Sequence, residues 1–364
     1  MTSWLKQFDL LGNFAKLVLK DNVLAVLSDV DLSTVSSAIY NGGFKKVKAI
    51  LNVQVPGGYS DRRLHDDPQT LIMDSSKKLE ITENFTAMIT AAKIKNFSLV
   101  TKKEGDLAVN VIVTAGCSHA ESAGEEIEVQ QIKGTINIMV VIDGNPAESC
   151  LVSALATATE AKSAAIRDLD VRSRYSGDAA TGTITDSLVV ASTNKGPIIS
   201  LGGPASKLGK LVGYCTRKAV KKAIIKQGEC LPCRSVSDRL GERHLSLEKM
   251  ASELSKVARL KVDEKTLAKI LRNEPLLASF LMAAAKIDED VKKEVIPSEF
   301  GNIDILSKNF GSLLSKQTNG SASAPSELAD NWDYSSVDLP PFLKHFLINL
   351  VKSALSKEAT ENLK

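Results

Sequence analysis

The stretch DAATGTITDSLVVAST, residues 178–193, spaces hydroxyls at Thr181, Thr183, Thr185 and Ser187 and sets Asp186 among Ile184, Leu188 and Val190. Alternate residues of a strand take opposite faces, so as a strand this segment shows one hydroxyl face and points Asp186 into the apolar one. A threonine row suits an exposed edge strand and suits the wall of a polar ligand site equally well. The carboxylate is less easily left as decoration, because burial without a partner is costly. It asks for a cation, a set of N–H donors, or a place at a strand mouth facing a cleft. The candidate cation is Lys162. On a helical wheel over the preceding amphipathic segment it falls in the apolar stripe beside Leu151, Ala158 and Leu169. Either its stem packs while its ammonium reaches water, or it meets a carboxylate and lines a site where burial tunes proton transfer. Glu160 lies on the opposite side of that wheel, where the pattern alone makes it a solvated surface residue.

VIVTAGCSHAESAG, residues 111–124, is the second stretch with chemical content. A strand running through Thr114 to Gly116 and into a short helix would expose backbone N–H groups able to hold an oxyanion. Cys117 and His119 invite a Cys–His nucleophile, but residues two apart on one turn align poorly for that transfer, so packing or exposure is the plainer role. CLPC at 230–233 has the spacing of a metal or redox pair, with His244 and Cys215 as conceivable further ligands. No second CxxC follows to complete a four-ligand site, so ordinary thiols are expected and nothing demands a metal. Phosphate-loop, dinucleotide, nucleophile-elbow and zinc-helix motifs are absent. His65 belongs to a polar loop that could border a site, and His345 is expected to be structural.

These residues need elements to hold them. The 364-residue chain carries 46 basic and 43 acidic residues, a net charge of +3, and 5% aromatics, too balanced and too poor in stacking surface for nucleic-acid binding. The N-terminus lacks the apolar core of a signal peptide, and no apolar run is long enough to span a bilayer. With scattered, odd-numbered cysteines, a cytoplasmic protein is expected. Val/Ile/Thr-rich runs at 22–28, 45–55, 97–102, 107–116, 135–144 and 183–192 read as strands. Those at 107–116 and 135–144 are near-continuously apolar, as central strands are. Helices are expected over 84–93, from Asn145 onward, and over 205–226. Asn145 would cap the second, with Pro146 at its first position and Glu148 closing a capping box. The fold class is therefore α+β, a mixed β-sheet layered with helices, followed by an all-α C-terminal appendage. The boundaries expected are 1–227 for the α+β domain, 228–315 for the helical appendage, 316–340 for a linker, and 341–364 for a final helix.

Seven pieces in order carry a resemblance: LSTVSSAIYNGGFKKVKAILNVQV (32–55), FTAMITAAKI (85–94), NVIVTAGCSHAESAG (110–124), GTINIMV (134–140), ATATEAKSAAIRDLDV (156–171), ATGTITDSLVVAS (180–192) and LGGPASKLGKLVG (201–213). The combination of TEAK, ATGTxTD and a Gly-rich turn before LGKLVG resembles the adenosylcobinamide amidohydrolases, enzymes of archaeal-type corrinoid salvage. The resemblance implies hydrolysis of the amide that links aminopropanol to a corrin propionate, giving adenosylcobyric acid and 1-amino-2-propanol. It implies Asp186, Glu160 and Lys162 as catalytic residues, with Asp186 or Glu160 as base for a water or for a threonine hydroxyl and Lys162 positioning or protonating. Asn52, Thr90, Thr114, Gly116, Thr181, Gly182, Thr183 and Thr185 are implied as substrate-binding. The corrinoid is the substrate and partner, and no cofactor is required. A corrinoid-binding protein without hydrolase activity, or an amidase of other substrate using Cys117, are the alternatives.

Overall fold

The sheet begins with three antiparallel strands, β1 (Lys6–Asp9), β2 (Ala15–Lys20) and β3 (Val23–Ser36). Asp21 and Asn22 join β2 to β3 with φ of 48° and 63°, the left-handed pair that a two-residue hairpin turn requires and that Asp and Asn tolerate. β3 shifts register between Leu27 and Leu32 and pairs antiparallel with β4 (Gly43–Gln54) on both sides of that irregularity. Helix α1 (Pro68–Lys78), capped by the Asp67 side chain, then returns the chain to β5 (Phe85–Thr90), parallel to β4. This corrects the helix expected over 84–93. Phe85 and Ala87 pack with Leu71 and Ile72 of α1, while Met88 packs on the other face, so the segment has the two-residue period of a strand.

β6 (Ser98–Glu104), β7 (Leu107–Ala115), the short β8 (Ala120–Glu121) and β9 (Ile136–Asp143) follow. β7 is buried along its whole length and β9 along all but its last residue, as their apolar runs require. Asn145 does not cap the next helix. Asn145 and Pro146 form β10, which pairs with β13 (Ile198–Ile199), and helix α2 (Glu148–Asp168) starts behind Ala147 with no side-chain cap. The expected strand over 183–192 is also divided. β11 (Gly182–Thr183) pairs with β8, residues 184–185 turn, and β12 (Ser187–Ser192) enters the main sheet between β3 and β9. Helix α3 (Lys207–Gln227) is capped by Ser206 and closed by Gly228 in the left-handed conformation.

The computed structural model describes residues 6–10, 12–57, 66–81, 84–126, 134–229, 233–258, 264–265, 267–268, 275–297, 305 and 336–348, with side chains of 257–258 and 275–277 excepted. The main sheet runs β1-β2-β3-β12-β9-β7-β6, with β4 and β5 joined through β3. Three cores show how its faces are used. One packs α2 and α3 against Val109, Val111, Ile138, Val140, Leu188 and Val190. A second lies between the two halves of the sheet, where Leu24, Ile50 and Met88 meet Ile112, Met139 and Val189. The third packs α1 on the far face of β3, β4 and β5. This first unit is thus α+β, with its layers in the order helix, strand, strand, helix.

The chain divides into units Met1–Cys233 and Arg234–Lys364. The described part of the second is helical: α4 (Val236–Gly241), α5 (Leu247–Ala258), α6 (Pro275–Lys292) and α7 (341–348), packed through Leu240, Met250, Leu254, Leu281, Leu343 and Phe346. His345 is buried there. Asp288 accepts the backbone N–H groups of Phe342 and Leu343 at 2.9 Å each, and burial pushes its carboxyl up to about 6. Residues 316–335 of the expected linker lie outside the described residues. No described helix is long and apolar enough to cross a membrane.

Candidate active site

Lys162 and Asp186 form an ion pair at the N-terminal end of β12, with both side chains 9% exposed. Lys162 reaches it from the apolar face of α2, between Ala158 and Ala165, so its stem is packed and its ammonium is directed inward rather than to water. The broken strand explains how Asp186 meets it. The turn at 184–185 folds the carboxylate back over β11, where Oδ2 takes the Lys162 ammonium and the Thr183 N–H (3.2 Å). Oδ1 takes the Thr183 hydroxyl (2.5 Å) and the Ile136 N–H (2.9 Å). An ionised carboxylate has about four acceptor sites, and these four donors fill them. Burial of the charge is thereby compensated.

Two glycines make the arrangement possible. A Cβ on Gly182 would lie 2.5 Å from Asp186 Oδ2 and 2.7 Å from Lys162 Nζ, so only glycine lets the pair pass this close to the backbone. Gly134, with φ of +100°, offers its carbonyl to the hydroxyls of Thr183 and Thr185, each at 3.3 Å. The hydroxyl row expected on one strand face is dispersed by the turn. Thr181 accepts the Ala123 N–H, Thr183 donates to Asp186, Thr185 contacts the Thr135 hydroxyl, and Ser187 faces Ser37.

A second carboxylate stands at this place, and sequence reasoning missed it. Glu121 lies opposite Gly182 in the β8–β11 ladder. Partial burial, reinforced by the negative charges of Asp186 and Glu125 and opposed by Lys162, holds its carboxyl above the ordinary value of 4.5. The available signal was its position within 110–124. The short helix expected there is instead a turn at 118–119 leading into β8.

The N–H groups after Gly116 do hold an anion, the protein's own. Glu229 Oε2 accepts the N–H of Cys117 at 2.6 Å and of Ser118 at 3.0 Å. Asn52, Thr90 and Thr114 lie in the layer between the sheet halves, fully buried. Asn52 donates to the Thr114 hydroxyl at 2.8 Å and accepts from Asn137 Nδ2 at 2.9 Å, while Thr90 accepts the Ala92 N–H. Asn137 was overlooked, though a lone amide in the apolar run INIMVVI is the visible signal. Glu160 is exposed. Two residues from Lys162 on the helix, it faces away from the ion pair. Cys215 is buried in the core, and that burial pushes its thiol up to about 11. Cys233 is exposed, whereas Cys230 and His65 lie outside the described residues. Among the described residues no group of three or more His, Cys, Asp or Glu is placed to hold a metal.

A family profile described as adenosylcobinamide amidohydrolase matches residues 13–232, a span that contains every residue of the site. An uncharacterized protein of Methanocaldococcus jannaschii is 28% identical over 209 residues, covering 51% of this chain and 80% of that protein. A Methanosarcina mazei protein named adenosylcobinamide amidohydrolase is 27% identical over 220 residues, covering 58% of this chain and 98% of that one. Among solved structures, a protein from Pyrococcus horikoshii aligns at 13% identity with a TM-score of 0.31, covering 62% of this chain and 82% of that chain.

Proposed function

The chain belongs to the adenosylcobinamide amidohydrolase family, and on that premise we propose that it cleaves the amide between aminopropanol and a corrin propionate of adenosylcobinamide. The products are adenosylcobyric acid and 1-amino-2-propanol. The observation that carries this proposal is the Lys162–Asp186 pair, buried against Gly182 inside the family-matched span.

Amide hydrolysis builds negative charge on the carbonyl oxygen of a tetrahedral intermediate, and a fixed cation with few water neighbours is an effective stabiliser of it. Of the three N–H donors of the Lys162 ammonium, one goes to Asp186, which leaves donors for the substrate oxygen. Asp186, its acceptor sites filled, serves as the anchor that aims the lysine rather than as the base expected from the sequence. Glu160, exposed on the far side of α2, is left out of the chemistry. Asn52 and Thr114 act as scaffold, linked to each other and through Asn137 across the two halves of the sheet, Thr90 caps the Ala92 N–H locally, and Thr183 and Thr185 shape the wall of the site. Water is the only co-reactant consumed in the proposed reaction.

The test is incubation of the purified protein with adenosylcobinamide, followed by mass detection of both products. Their appearance in equal amounts supports the proposal. Cobinamide that binds and returns unchanged would make the protein a corrinoid binder and defeat it.

A further inference from the structure

Asp186 is saturated with donors, so the site still lacks a group to take a proton from water. The β8–β11 ladder supplies one. Residues directly opposite in an antiparallel pair carry their side chains on the same face, with Cβ atoms about 5 Å apart. Glu121 is opposite Gly182, and the side-chain direction of Gly182 points at Asp186 Oδ2 and Lys162 Nζ. Glu121 therefore projects from the same face of the ladder as the one on which the ion pair lies. Among the described residues its carboxylate makes no hydrogen bond, whereas Glu125 nearby is held by Ser173, Ser176 and the Ser122 N–H.

We infer that Glu121 is the general base and proton shuttle of the site, an assignment that rests on its being an amide hydrolase. Glu121 takes a proton from water as the water oxygen bonds to the amide carbon, and the carbonyl oxygen gains negative charge against Lys162. The carboxylic acid so formed gives the same proton to the amide nitrogen, the C–N bond breaks, and Glu121 is again a carboxylate. Acid and amine are the products, with one water consumed. The charged groups facing Glu121 are Asp186, Glu125 and Lys162; the two carboxylates favour its holding a proton, which suits a shuttle.

The pH profile of wild type is measured beside Glu121→Gln and Glu121→Asp, with circular dichroism to verify folding. Wild-type kcat/KM should fall on acidification with an apparent pKa above 4.5. E121Q should lose about 100-fold or more in kcat, the usual range for a missing acid–base group, with KM little changed and no acid limb in what activity remains. E121D should keep the acid limb at reduced rate, and decides the matter if E121Q does not fold. A folded E121Q within about threefold of wild type, or an acid limb that survives it, overturns the role of Glu121 alone. Absence of hydrolysis by wild type overturns the amide-hydrolase assignment and this inference with it.

Discussion

Replacing Lys162 by Met keeps most of the packed stem and removes the charge. Both partners of the pair are only 9% exposed, so the substitution strands a carboxylate where water cannot reach it freely. Removing one member of such a pair costs about 3–5 kcal/mol. For a unit of the size of Met1–Cys233, where each kcal/mol moves the melting temperature by roughly 2–4 °C, that amounts to a fall on the order of 10 °C. The informative comparison adds Asp186→Asn and the double substitution. In K162M the carboxylate lacks its cation, and in D186N the ammonium lacks its anion; the double variant leaves neither charge unbalanced. Urea unfolding followed by circular dichroism should give a coupling of about 2–3 kcal/mol, with the double variant less destabilised than the sum of the singles. Additivity within about 0.5 kcal/mol would mean that the two charges do not sense each other in the folded protein, and the account of the site would be refuted.

Gly182→Ala places a methyl 2.5 Å from Asp186 Oδ2 and 2.7 Å from Lys162 Nζ; it should cost about 1–3 kcal/mol and reduce hydrolysis, measured by melting and product formation. Asn52→Leu strands the amide N–H of Asn137 that it accepted and deprives the Thr114 hydroxyl of its donor, so a loss of about 2–4 kcal/mol in urea unfolding is expected. Asp288 is raised in the folded state, from 3.8 to about 6. Its contribution to stability is therefore fully present below pH 3.8 and is lost as pH rises through about 6. Melting of the helical unit should accordingly rise between pH 7 and pH 5 in wild type, and Asp288→Asn should remove that part of the pH dependence.

Strands β7 and β9 were legible because a run such as LAVNVIVTA is apolar at every register, and burial on both faces is the only way to satisfy it. β5 was misread because Phe85, Met88, Ile89 and Ala92 fit helical spacing as well as alternate residues fit a strand; pairing with β4, distant in sequence, decided between them. The same holds for Asn145 and Pro146, whose capping pattern gave way to pairing with Ile198 and Ile199. At the site, the misplaced charge of Asp186 and the inward lysine were visible as departures from pattern, and they meet. The turn at 184–185 was not visible, because what holds it is the set of bonds Asp186 makes to Thr183, Ile136 and Lys162. Glu121 was hidden for a related reason: its neighbour across the ladder is 61 positions away in the chain, and no local period reports it.

Cleavage at the propionate amide is read from the reaction of the wild-type protein with adenosylcobinamide in oxygen-18 water. Hydrolysis at the propionate amide should give adenosylcobyric acid carrying one heavy oxygen in its new carboxylate, matched mole for mole by unlabelled 1-amino-2-propanol. Adenosylcobinamide recovered intact, or heavy oxygen appearing in the amino alcohol instead, would contradict the account.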